Sequence, residues 1–236
     1  MKKSLLKRPG QALRLTAVAC GLLGLLLRFW LEVDAIDDRG LLIAGHPAQI
    51  SLWALGLGMT AALFLVTFRY QNTKKKAPAP KKNTMTAVGC IPAIIALALS
   101  MLQTEDLGMI LLSAITLAGL VTVALCRYLG KTPPMPAHGI LCVWMVVMLL
   151  RLYRTWSFDP QLHDYCFQLL AYVALSVASY QYAAMDNGLG SDRKLWFWSL
   201  LAGFLCLTTL NAGIQYLAFG IWALTNLPAP KLRKVS

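Results

Sequence analysis

Charge is scarce in this chain of 236 residues: only 14% are Asp, Glu, Lys or Arg, against about 25% in an ordinary soluble domain. The apolar share is 58% and the mean hydropathy is +0.60. A core of this size cannot hide such an excess, because small domains leave much of their surface wet. A soluble globular protein and a disordered chain are therefore excluded. A nucleic-acid-binding domain is excluded as well, despite the net charge of +12.

Chemistry-bearing residues are also few. There are three histidines and six cysteines, and the sequence holds no CxxC pair. Cys20, Cys90, Cys126, Cys142, Cys166 and Cys206 all fall in or at the ends of apolar runs, where a free thiol acts as a small hydrophobe. A disulfide framework and a structural zinc site do not fit. No HExxH, Gly-x-Ser-x-Gly, P-loop or Rossmann glycine pattern occurs, so no enzyme class and no cofactor is implied. His163 and Asp164 beside Asp159, with His46, offer metal-binding atoms, but casual surface proximity accounts for them better.

What is abundant is apolar sequence in runs of about 20 residues, the length that crosses a bilayer as a helix. Eight runs stand out: Leu13–Leu31, Ala48–Arg69, Met85–Leu102, Leu107–Leu129, His138–Thr155, Leu162–Ala183, Lys194–Leu210 and Ala212–Leu227. The last two are separated only by the weak break of Thr208, Thr209, Asn211 and Gly213. A single long span or a re-entrant pair is the competing count there. The expected fold is an all-α integral membrane protein, a bundle of about eight helices. The apolar run of the first helix continues past Cys20, so it reads as uncleaved.

Basic residues orient the bundle. With the N-terminus inside, 18 of the 22 Lys and Arg fall in cytoplasmic segments, leaving Arg28, Arg39, Arg151 and Arg154 outside. Lys and Arg bias sets topology, so eight spans with both termini cytoplasmic, in the plasma membrane, is the consistent solution. The run from Lys74 to Lys82, within a linker at 70–84, reads as a Pro-stiffened cytoplasmic loop facing anionic lipid.

The halves resemble each other. Helix 1 ends in Leu26-Leu27-Arg28-Phe29-Trp30 and helix 5 in Leu149-Leu150-Arg151-Leu152-Tyr153. Each is followed by a His before the next span, His46 and His163. This predicts two tandem four-helix units in parallel orientation, residues 1–130 and 131–236, a repeat known among transporters.

Polar residues inside spans are costly unless they face protein or water. Arg28 shares a helix face with Ala17, Gly21 and Gly24, small residues that admit a close neighbour, and so points into the bundle. Arg151 and Arg154 read equally well as interfacial anchors. Ala54, Gly58 and Ala62 form a small-residue stripe on helix 2, expected to pack tightly. Tyr165, Gln168, Tyr172, Ser176 and Ser179 make one polar face on helix 6. Helices 3, 4 and 7, apolar all round, are expected to form the lipid-facing shell.

These residues assemble into one expectation: an outward-facing pocket between helices 1, 2, 5 and 6. It would be lined by Arg28, His46, Gln49, Arg151, Arg154, His163, Asp164, Tyr165, Gln168 and Tyr172. Paired guanidiniums suit carboxylate or phosphate, so the bundle would bind or move a small anionic or zwitterionic solute. The alternative is a non-catalytic membrane subunit, sensor or scaffold that docks a membrane or cytoplasmic partner through its basic loops.

Overall fold

The computed structural model describes residues 9–35, 43, 45–68, 82–156 and 162–228. Across them run eight α-helices: α1 (Pro9–Asp34), α2 (Pro47–Phe68), α3 (Thr84–Leu102), α4 (Leu107–Leu129), α5 (Met135–Trp156), α6 (Leu162–Asp186), α7 (Asp192–Thr208) and α8 (Ile214–Thr225). A 3-10 turn, Leu210–Ala212, separates the last two. No strand occurs among the described residues. Most of the basic linker, with Arg39, Asp159 and the tail from residue 229, lies outside them.

Local chemistry sets several helix ends. Asn83 and Asp106 cap α3 and α4 by accepting from the Thr86 and Gly108 amides at 3.3 and 3.0 Å, satisfying N–H groups that the helix cannot. Gly130, at φ +72°, closes α4 in the left-handed conformation and lets the Lys131 amide donate to the Cys126 carbonyl at 2.7 Å. The Thr208–Gly213 break turns the chain fully, so the final apolar stretch is two helices and not one.

Helices α1 to α5 are long and apolar enough to cross a membrane. The perimeter agrees with that composition: Leu15, Leu57, Leu65, Leu102, Leu129 and Leu150 are all exposed, an outer surface that water would not tolerate. Helix α6 has the length, 25 residues, but its polar stripe lowers its hydropathy. At 1.5 Å per residue, α7 and α8 are only ~26 and ~18 Å long, short of a ~30 Å hydrocarbon core.

Helix α7 is central. It packs against α1, α2, α6 and α8, and every residue from Ser199 to Thr208 is buried. This corrects its expected place in the lipid-facing shell. Lipid tails are as apolar as a protein core, so an all-apolar helix reads the same inside or outside. Close approach decides its position: Cβ atoms added at Gly21 and Gly24 of α1 would lie 2.7 Å from Leu207 Cβ and 2.6 Å from Thr208 Oγ1. Helices α3 to α8 close a ring of successive neighbours, and the α1–α2 hairpin lies outside it against α7. Helices α3 and α4 do present Ile91, Ile95, Leu111 and Ile115 outward.

Two further sequence readings meet the packing. The Ala54–Gly58–Ala62 stripe faces outward, with nothing within 4 Å of a Cβ at Gly58. Helix α2 touches only α1 and α7 as main neighbours, and it turns Leu52, Met59 and Leu63 inward instead, because larger side chains fill the gap with more contacts. The halves interleave, with α1 and α2 on α7, α3 on α8 and α4 on α5. Under the expected repeat α5 corresponds to α1 and α3 to α7, yet α5 makes no comparable contact with α3.

Gly24→Leu is expected to force α1 off α7 and cost about 1–3 kcal/mol, the usual range for overpacking. Gly58→Leu, pointing into open space, should leave stability unchanged or slightly raised by better helix propensity. Thermal unfolding of the two purified variants checks the contrast. Equal losses would contradict the central position of α7.

Candidate functional site

Two clusters of buried polar groups stand out among the described residues, one at each end of the bundle. The first lies at the end carrying the α7–α8 turn. Arg28 is 2% exposed although it sits within α1, and it lies within electrostatic reach of Tyr216 on α8. The Tyr216 hydroxyl donates to the Gln168 side-chain oxygen at 3.4 Å, and its ring meets Tyr172 edge-on at 5.4 Å. The Tyr172 hydroxyl is buried beside the Tyr216 hydroxyl, its side-chain hydrogen-bond partner. Asn211, in the turn, donates to Glu32 of α1. A cation carried by α1 and two phenols and an amide carried by α6 and α8 thus converge at this end.

Three of the expected site residues, Arg28, Gln168 and Tyr172, are gathered by Tyr216. The others stand apart. His46 Nδ1 accepts from the Ala48 amide at 3.3 Å and Gln49 Oε1 from the Gly45 amide at 3.4 Å, so both fasten the start of α2. The His46 ring also meets Trp30 edge-on at 5.9 Å. Arg151 pairs with Asp106 at 3.4 Å, both side chains about half exposed, a pair worth ~0–1 kcal/mol. Arg154 lines the same open groove between α4 and α5. Arg28 is not among the residues lining this groove, and its helix is not a main neighbour of α5. Tyr165 is half buried, and the side chains of His163 and Asp164 lie outside the described residues.

The polar face of α6 turns inward, with Gln168, Tyr172, Ser176 and Ser179 buried. Ser179 donates to the His138 carbonyl at 2.9 Å, and Ser176 to its own helix at 2.8 Å.

The second cluster occupies the opposite end, where α1 begins and α8 ends. Asp186, the last residue of α6, receives Arg127 from the last turn of α4 at 2.6 Å. Its other oxygen lies 3.2 Å from His138 Nε2 in the first turn of α5. The Asp186 and His138 side chains are 3% and 1% exposed, so this is a buried charge with a charged partner and a neighbouring imidazole. Tyr182 stacks on the imidazole at 5.9 Å, donates to the Ala223 carbonyl at 2.7 Å and accepts from Ser199 at 3.1 Å. Trp222 leans on the same imidazole at 6.4 Å. Arg14 closes the cluster on the α1 side, donating to the Leu227 carbonyl at 2.6 Å beneath Trp196.

Sequence reasoning missed this cluster, because Arg127, His138 and Asp186 each look like ordinary charge at a span end. One signal was present: of the ten acids, only Asp186 and Asp192 fall on the basic side of the expected topology. Among the described residues no three His, Cys, Asp or Glu side chains come together as metal ligands, and all six cysteines are free. No family model, curated protein or solved structure matches the chain.

Asp186→Asn is expected to destabilise the protein by about 3 kcal/mol, the lower end for breaking a buried pair, since Arg127 keeps 22% exposure. Adding Arg127→Gln should recover part of the loss, because the orphaned charge is then gone. A double-mutant cycle on unfolding in mixed micelles reads the coupling. Strictly additive losses would mean that the pair contributes nothing.

Proposed function

We propose that the chain is a plasma-membrane protein whose short α7–α8 hairpin is held inside a bundle of longer spans, both termini cytoplasmic, and that it binds or moves a small anionic or zwitterionic solute. The observation that carries this reading is Arg28, a guanidinium 2% exposed inside an apolar helix. Such a residue is expensive in a membrane and marks a functional site by default. The recognition chemistry is that of Arg28 with the Tyr172 and Tyr216 hydroxyls and the Gln168 amide, groups suited to a carboxylate or phosphate. On this reading the solute sits beside these four groups in the outer half, in a narrower site than the pocket expected from sequence. The Arg127–Asp186–His138 cluster closes the cytoplasmic half.

A second reading, a subunit that docks a membrane partner, is favoured by the outward-facing Ala54, Gly58 and Ala62 of α2. Small residues there would let a partner helix approach closely.

Thermal unfolding with a panel of carboxylates, phosphate esters and amino acids tests the first reading. A solute at 100 times its Kd should stabilise by about 2.7 kcal/mol. Arg28→Gln and Tyr172→Phe should abolish the shift, while Arg151→Gln should leave it intact. Loss of the shift only with Arg151→Gln would move the site to the α4–α5 groove. Topology has its own check: a single cysteine placed between Lys74 and Lys82 should label from the inside only.

A further inference from the structure

A lateral groove runs between α3 and α8 and changes character along its length. One part, a cavity of about 240 Å³, is lined only by apolar residues, including Pro92, Ala96, Leu217, Ala218 and Ile221. The adjoining part, of about 220 Å³, shares Ala96, Leu99 and Ile214 with the first and adds Ser100, Gln103, Gly213 and Gln215. The two parts form one continuous trough, apolar toward the middle of the bundle and polar where α3 ends and the α7–α8 turn begins.

The residues explain the shape. Alanines at 96 and 218 leave the trough floor low, and Pro92 cannot donate the backbone bond of a helix interior. From Pro92 to Gln103 the trough is ~16 Å long at 1.5 Å per residue, about half a ~30 Å hydrocarbon core. Length and polarity therefore match one leaflet. Gln103 and Gln215 make no side-chain hydrogen bond to another described residue, and no charged side chain lines either part.

We propose that this trough binds a single membrane glycerolipid, one acyl chain lying between Pro92 and Ala218 and its ester or phosphate oxygens accepting from Gln103 and Gln215. A net-neutral headgroup fits best, because the polar end supplies amide donors and a hydroxyl without charge. A helix from a second copy of the chain would bury the two glutamine amides against apolar surface, which costs free energy without partners. The lipid satisfies them. This site is separate from the solute site around Arg28.

Native mass spectrometry of the purified full chain, titrated in detergent with phosphatidylethanolamine or phosphatidylglycerol, tests the proposal. The wild type should retain one phosphatidylethanolamine, with no preference for the anionic lipid. Ala218→Trp, which fills the trough, should lower retention at least tenfold, and Gln103→Ala with Gln215→Ala should lower it severalfold. Leu57→Trp, adding bulk to the exposed face of α2, should change nothing. Where Ala218→Trp unfolds, Ala96→Leu and the glutamine pair decide. Wild-type retention in the folded trough variants, no retained lipid in the wild type, or a dimer that Ala218→Trp dissolves would each overturn it.

Discussion

A helix buried along most of its length needs neighbours close on every side, and α7 imposes that demand on the whole bundle. Helix axes approach closely only where side chains are small. Gly21 and Gly24 open one side of α7 to α1, and on the other Gly203 faces Leu224 while Gly220 faces Cys206. These contacts fix where α1 and α8 can lie. Their placement then carries Arg28 and Tyr216 to one point, so the geometry of the polar cluster follows from glycine positions that carry no chemistry themselves.

The polar groups are segregated along the bundle. Between the two end clusters the interior is filled by Leu141, Leu200, Phe204 and Phe219, all buried, with Trp144 donating to Ser113 at 2.9 Å as a lone polar contact on the α4–α5 side. Such a layer insulates one charged cluster from the other. Inside a low-dielectric medium each must balance its own charge, and the Arg127–Asp186 pair does so locally.

Much of this was legible in the sequence, and the limits have a common cause. The inward face of α1 followed from Ala17, Gly21 and Gly24 beside Arg28. The break before α8 followed from Thr208, Thr209, Asn211 and Gly213, and the inward face of α6 from its polar spacing. In each case one helix carries the signal by itself. Pairings between helices carry no such signal. Nothing in the run around Arg127 says that Asp186 waits 59 residues later. Nothing distinguishes α7 from α3 when both are apolar all round and lipid resembles core. The Arg28–Arg151 pairing failed for the same reason, since similar helix endings in two halves do not place those helices side by side.

The α1–α2 hairpin lies far ahead in sequence of its main support, α7, and Arg14 reaches Leu227 across 213 residues. Contacts of such sequence separation form late and slow folding. Until α7 and α8 have packed, the buried place that Arg28 takes beside Tyr216 is unformed. Burial of this guanidinium therefore waits on helices far along the chain. Truncation anywhere before α7 would leave Arg28 without the packing that buries it.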